Sequence, residues 1–432
     1  MTATERETPR PDATPPHAAD RPAQSSVQSS AQGPAGRPAG AGRLAWLDAL
    51  RGIGAMAVVA EHALPWVMPS LRPYWFNLGM YGVLVFFLVS GYIIPASLEK
   101  RGDVGAFWIS RVFRLYPLYL LVIVFVLVMA VWVPVRQEVP RHPSAVAAHL
   151  SMLLDVVHIG AVADPMWTLS YEMVFYLLVT ALFAGGMHRR SGMLAIVFGV
   201  VAVAAGLVLS APLLPGHWPA VAAGVVFVAG LVCLITGRFR TVAAYALGLM
   251  ALVLLLFGSF VPWFGAAILA VMFTGTALYR WERGTAGLGP VVAAAVLVAA
   301  APVWSAQAGW WWVQPDVWIT TIVLAGVTFA IGMALRGRRV PGVLTWLGLI
   351  SYSVYLLHHP LLKYLNALVG DLKSVTDTGR AALALGYLAG MLTLSWLTYR
   401  FVESPAQRLG RRITRRSSSS SHASGRDIPV PG

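Results

Sequence analysis

Twelve apolar segments, each close to twenty residues long, follow one another between two polar tails, and no other feature constrains the fold as strongly. They lie near 44–65, 78–98, 115–134, 165–187, 192–211, 218–236, 241–258, 262–279, 287–306, 317–335, 343–364 and 380–402. At a rise of about 1.5 Å per residue, roughly 20 apolar residues cross the hydrocarbon core of a bilayer. Within that core each backbone N–H and C=O must be satisfied inside its own segment, which selects the α-helix. Pro262, Gly265 and Pro302 interrupt their neighbours, so ten spans compete with twelve. The expectation is an all-α fold: a polytopic transmembrane helical bundle of about 10–12 spans. Charged residues make up 12% of the chain, about half the share of a soluble domain. That excludes an ordinary cytosolic enzyme, a disordered regulator and a fibrous chain. The single cysteine, Cys233, excludes a disulfide framework and a cysteine-based metal site.

Charge sets the expected topology. Of the 32 basic residues only Lys100, Lys363 and Lys373 are lysines, and the formal net charge is +14. In so apolar a chain this excess reads as the positive-inside rule rather than as a nucleic-acid surface. Loops after alternate segments carry Lys100, Arg101, Arg111 and Arg114, then Arg189 and Arg190, Arg238 and Arg240, Arg280 and Arg283, Arg336, Arg338 and Arg339, and the C-terminal cluster. The intervening loops carry only Arg72, Arg136, Arg141, Lys373 and Arg380. Both termini are therefore expected in the cytoplasm. Residues 1–43 are expected to be a disordered tail, 44–404 the transmembrane domain, and 405–432 a disordered basic tail facing anionic lipid. The composition, rich in Ala, Gly, Val and Arg, points to a bacterial inner membrane.

Ionisable residues inside spans are costly, so each is a candidate for function. Arg51 and His62 are eleven residues apart in the first span. Eleven steps of 100° leave them within about 20° of one another, about 16 Å apart along the axis. Asp48 precedes Arg51 by one turn, placed for a structural ion pair. Phe86, Phe87, Ser90 and Gly91 give the second span a small-residue face suited to close packing. Arg111 and Arg114, at i,i+3 in the third, share a face and offer two planar forks to phosphate, unless they are simple interfacial anchors. Glu172 falls in the outer half of the fourth span. Tyr355 and His358, one turn apart, fall in the outer half of the eleventh. His62, Glu172 and His358 thus converge at one depth from distant parts of the sequence; three separate helix-packing hydrogen bonds are the alternative.

Together these residues resemble the acyltransferase-3 family of integral membrane O-acyltransferases. The resemblance rests on Asp48, Arg51 and His62; on Phe86, Phe87, Ser90 and Gly91; on Arg111, Arg114, Tyr116 and Pro117; on Trp167, Leu169, Glu172, Phe175 and Tyr176; and on Ser351, Tyr352, Tyr355, Leu356, His358 and Pro360. Ala49 and Thr168 stand where the family has Gly and Ser, and Glu61 beside His62 is unusual. The resemblance implies transfer of an acyl group, often acetyl, from acyl-CoA to a hydroxyl of a sugar, a surface glycan or a macrolide-type metabolite. It also implies His62 as the catalytic histidine and Arg51, Arg111 and Arg114 as acyl-CoA contacts. On chemistry alone, Glu172 is expected to orient the imidazole or take a proton, and Tyr355 or His358 to donate to an oxyanion. The implied partners are the bilayer, acyl-CoA and a hydroxyl-bearing acceptor, with no metal. A multispan carrier is the rival class, although the halves show no pseudo-symmetry. Trp310, Trp311 and Trp312 read as an interfacial aromatic belt. His142, His149 and His158 share an outer loop without metal spacing.

Overall fold

A computed structural model describes residues 42–133, 142–209, 212–214, 216–370 and 375–423. The first 41 residues, and Arg136, Arg141 and Lys373 of the loops, lie outside these. Among the described residues the chain is helical throughout, with no strand. Its helices are α1 (Gly42–Val67), α2 (Leu78–Arg101), α3 (Val104–Met129), the short α4 (Pro143–Ser151), α5 (Trp167–Ala184), α6 (Ser191–Val208), α7 (Trp218–Thr236), α8 (Arg240–Phe257), α9 (Pro262–Glu282), α10 (Gly289–Ala300), the short α11 (Val303–Gln307), α12 (Pro315–Ala334), α13 (Gly342–Val369), α14 (Asp377–Thr398) and α15 (Ser404–Ala423). The reversals have local causes. Asn77 caps α2 by accepting from the Met80 N–H at 2.7 Å, and Gly102, at φ 67°, ends it. Asp103 then caps α3 through the Gly105 and Ala106 N–H groups.

Ten of these helices are long and apolar enough to cross a membrane. Helices α1 and α13 are as long, at 26 and 28 residues, yet are not among the ten. They interrupt their apolar surface with Asp48, Arg51, Glu61 and His62, and with Ser351, Ser353, His358 and His359. The two least lipid-like helices pack closely on each other, and α2 closes the other side of α1. Lipid is instead met by helices whose large apolar side chains stay exposed, such as Leu121, Val124 and Val128 on α3 and Val323, Val327 and Ile331 on α12.

Glycine sets the α1–α13 distance. A Cβ built on Gly348 would stand 1.9 Å from the Asp48 carbonyl oxygen, so no larger residue fits the crossing. Gly91 plays the same part between α2 and α9, 1.8 Å from the Met272 carbonyl. The expected packing face is therefore present at Gly91, whereas Ser90 turns to a cavity beside Arg51.

The segment expected as a disordered tail from 405 instead continues as helix to Ala423. A five-residue π turn, Tyr399–Glu403, joins it to α14, and α15 lies along α3 with Gly410 against Phe113. Burial of that contact supplies the apolar partner that a basic tail alone lacks. Gly348→Ala is expected to cut the activity of the folded fraction at least tenfold and lower its midpoint of thermal unfolding in detergent. Gly326→Ala, with open space at its Cβ, removes a helix-interior glycine and is expected to be neutral or mildly stabilising.

Candidate active site

The α1–α13 crossing delivers the histidines. His62 Nδ1 lies 2.9 Å from the Val58 carbonyl one turn back. His358 Nδ1 lies 2.8 Å from the Tyr355 carbonyl. A carbonyl only accepts, so each Nδ1 carries the hydrogen. His358 Nε2 then holds a lone pair, and it stands 3.3 Å from His62 Nδ1. The Nδ1–H of His62 is shared between Val58 and His358, and its Nε2 is left as the nucleophilic or basic atom. His359 adds a third ring, with its centroid 5.2 Å from that of His62, and is held by Asp164 at 3.2 Å. Glu61 turns the other way: Arg72 binds it at 2.5 Å and stacks over Trp311.

His62 opens onto a cavity of about 370 Å³ at the end of the bundle away from the arginines. Its walls include Asn77, Asp155, Trp167, Phe264, Trp312 and Tyr355. A second, narrower cavity lies deeper, lined by Arg51, Phe87, Ser90, Glu172, Ser351 and Tyr352. Val83 and Tyr355 belong to both linings, so the two cavities meet there. Thr168 bonds to the Tyr355 hydroxyl at 2.8 Å and donates to the Pro165 carbonyl at 3.1 Å, which fixes the phenol at the edge of both cavities.

The predicted residues thus form two groups. His62 and Tyr355 line the outer cavity, and the buried His358 stands behind His62. Arg51, half-buried, belongs to the inner group, within electrostatic reach of Asp48, Glu172, Tyr176 and Arg114. Glu172 accepts from the Tyr176 hydroxyl and does not line the cavity of His62. It lies about 7.5 Å further along α5 than Trp167, which does. The orienting contact expected of Glu172 is made by His358. Arg111, expected to contact acyl-CoA, packs among aromatic rings. It is buried, with Phe107 and Tyr176 rings 5.1 and 5.3 Å from its guanidinium carbon, while Arg114 reaches Arg51 and Glu403.

Three site residues were not singled out in the sequence. Glu403 is buried in the π turn and accepts from Ser353. An acid at the junction of an apolar span and an arginine cluster was the available signal. Trp312, assigned to an interfacial belt, lines the outer cavity against Phe264; Trp310 and Trp311 remain partly exposed. Asp155 sits in the connection before α5, where it accepts from the Tyr171 hydroxyl. Of the outer-loop histidines, His149 staples the loop, accepting from the Val162 N–H at 3.2 Å. His142 stacks on His217 and His158 on Phe260.

A half-buried histidine with its Nδ1 hydrogen held by neighbouring acceptors lines one cavity, which meets a second that holds a half-buried arginine, and this arrangement fits a class: an integral membrane group-transfer enzyme. The comparisons agree. Residues 44–400 match the acyltransferase domain of the acyltransferase-3 family, and the chain belongs to that family. It is 28% identical over 400 residues to acyltransferase MdmB of Streptomyces mycarofaciens, covering 86% of this chain and 93% of MdmB. It is also 28% identical over 163 residues to O-acetyltransferase OatA of Staphylococcus aureus, covering 34% of this chain and 26% of OatA. No solved structure matches. The protein is a membrane O-acyltransferase, and the rival class of carrier gives way.

Burial raises the Asp155 carboxyl from 3.8 to about 6, and the Tyr171 hydrogen bond only partly offsets this. A raised acid favours the folded state below its unfolded value and loses that contribution as pH rises through about 6. Above pH 6 the fold carries a desolvated charge at a cost of roughly 2–3 kcal/mol at most. Asp155→Asn is therefore expected to unfold at a higher temperature than the parent at pH 8, with the two converging near pH 4.

Proposed function

We propose that the protein moves an acyl group, acetyl in the simplest case, from acyl-CoA to a hydroxyl of a sugar, surface glycan or glycosylated metabolite, at His62 Nε2. The observation that carries this reading is the pairing of His62 Nδ1 with His358 Nε2 at 3.3 Å, with His62 itself lining the outer cavity. It leaves one imidazole nitrogen with a lone pair and aims it at the space an acceptor would occupy.

The thioester arrives through the inner cavity, with its carbonyl at the junction formed by Val83 and Tyr355. Arg51 and Arg114 serve the acyl-CoA. Arg111 supports them indirectly, packing on Tyr176 and so holding Glu172 opposite Arg51. The CoA phosphates stay at the arginine-rich end. Asp48, Glu172 and Glu403 already balance the two inner arginines, and bringing several more negative charges into a low dielectric is costly. His62 then takes the acceptor hydroxyl's proton as the oxygen attacks the thioester carbon. The C–S bond breaks, and the thiolate leaves with the proton. The Tyr355 phenol turns its hydrogen from Thr168 to the carbonyl oxygen as that oxygen gains charge. His358 keeps the reactive nitrogen facing the cavity and accepts from the imidazole that becomes charged. On this reading the arginine-rich end, with both termini, faces the cytoplasm of a bacterial cell, and the outer cavity faces away from it.

Thiol release from acetyl-CoA by the protein in nanodiscs, with mass spectrometry of acceptor products, checks the proposal. His62→Ala is expected to abolish acceptor-dependent release. His358→Ala is expected to lower kcat by about 10²–10⁴-fold with little change in the KM for acetyl-CoA. Wild-type rates in His62→Ala would remove the histidine from the chemistry.

A further inference from the structure

The outer cavity carries a charge that the acyl transfer does not use. Trp167, Phe264 and Trp312 form a continuous aromatic wall, with centroids 5.6 Å and 5.5 Å apart. Tyr171 stands behind it, 5.9 Å from Trp167 and 6.0 Å from Phe264. Its hydroxyl donates to the Asp155 carboxylate, which faces the same cavity. The backbone fixes this aspartate on both sides: its N–H donates to Ser170 Oγ at 3.0 Å, and its carbonyl accepts from the Phe260 N–H at 3.3 Å.

The two carboxylates of the cavity are treated differently. Glu61 is neutralised by Arg72 at 2.5 Å. Asp155 is met, among the described residues, by the Tyr171 hydroxyl and by no cation. A neutral sugar would be content with the aromatic platform and hydrogen-bonding groups such as Asn77. An ionised carboxylate that lines the same cavity as three clustered aromatic rings is the combination that binds an alkylammonium, through charge and through the ring quadrupoles. Its desolvation is then offset by the ligand rather than by the protein.

We infer that the acceptor carries a protonated amine, as an amino sugar does, and that Asp155 with the Trp167–Phe264–Trp312 wall binds that amine while a hydroxyl of the same molecule faces His62. This rests on the acyltransferase reading of the cavity and narrows its substrate class. Asp155 is a specificity residue here and takes no part in bond making. The Asn replacement keeps an acceptor for the Tyr171 hydroxyl, so the wall stays in place.

Binding and turnover separate the two readings. Glucosamine, N-acetylglucosamine and glucose are each titrated calorimetrically against the full chain in nanodiscs at pH 7, without acyl-CoA, and then used as acceptors with acetyl-CoA. The parent is expected to bind glucosamine at least tenfold more tightly than either neutral sugar. Asp155→Asn is expected to lose that preference, and Trp312→Ala to weaken it several-fold. With acetyl-CoA the loss should appear in the acceptor KM, with kcat within about threefold. Selective binding of the amine without any thiol release would keep the cation site and sink the acyl-transfer reading. Thiol release with equal affinity for all three sugars, or an amine preference that survives in Asp155→Asn, would overturn the inference and leave the acyltransferase intact.

Discussion

Everything at this site depends on two helices that a bilayer would not accept alone being pressed together. Lipid is as apolar as a leucine side chain, so burying apolar surface gives α1 and α13 no reason to associate. Close approach and polar satisfaction supply the reason. Gly348 lets the backbone of α13 rest on the carbonyl of Asp48, and the approach brings His358 Nε2 to His62 Nδ1. In a medium without water, an unmatched ring nitrogen costs more than the same group would at a surface. The residues that make these helices poor spans are the ones that make them good partners. The catalytic geometry and the stability of the crossing are therefore one set of contacts.

The arginines divide along similar lines. The excess of positive charge suggests a uniform basic face, yet several guanidinium groups tie one helix to another. Arg280 binds Glu99, donates to Ser191 at 3.1 Å and to the His188 carbonyl at 2.8 Å, and so ties α2, α6 and α9 together. Arg336 meets Glu282 at 3.1 Å, which in turn accepts from Tyr92. The inner group contains three acids, Asp48, Glu172 and Glu403, around Arg51 and Arg114. These carboxyls offset part of the cost of keeping two guanidinium charges inside the bundle.

What could be read in the sequence was what one helix dictates by itself. The stripe of Arg51 and His62 follows from 100° per residue. The depth of His358 follows from where its span begins. The helical class follows from segment length. Contacts that need two helices did not follow. Glu172 has the right depth to within a turn, but one turn separates the cavity of His62 from that of Arg51. Arg111 and Arg114 share a face in projection, yet the rings of Phe107 and Tyr176 claim one of them. Glu403 was lost because a π turn carries the chain past the expected end of the span and rotates the acid inward. Trp312 has the composition of a belt residue, and only its neighbours Trp263 and Phe264 reveal that it faces inward.

The meeting of the two cavities at Tyr355 limits which chemistry is available. A single open pocket would admit water along with the acceptor, and a thioester held there would hydrolyse. Here the inner cavity is narrow, and its junction with the outer one is framed by Val83, Phe86 and a phenol whose oxygen is bound to Thr168. On the proposed reading, a thioester carbonyl at that junction would face the outer cavity, whose lining includes His62 and Tyr355. Water in the outer cavity has little to bind it beside Trp167, Phe264 and Trp312, whereas a ligand with an apolar face displaces it with gain. Discrimination between hydrolysis and transfer is thus assigned to the aromatic wall. The histidine pair, which would activate either nucleophile, has no means of making the choice itself.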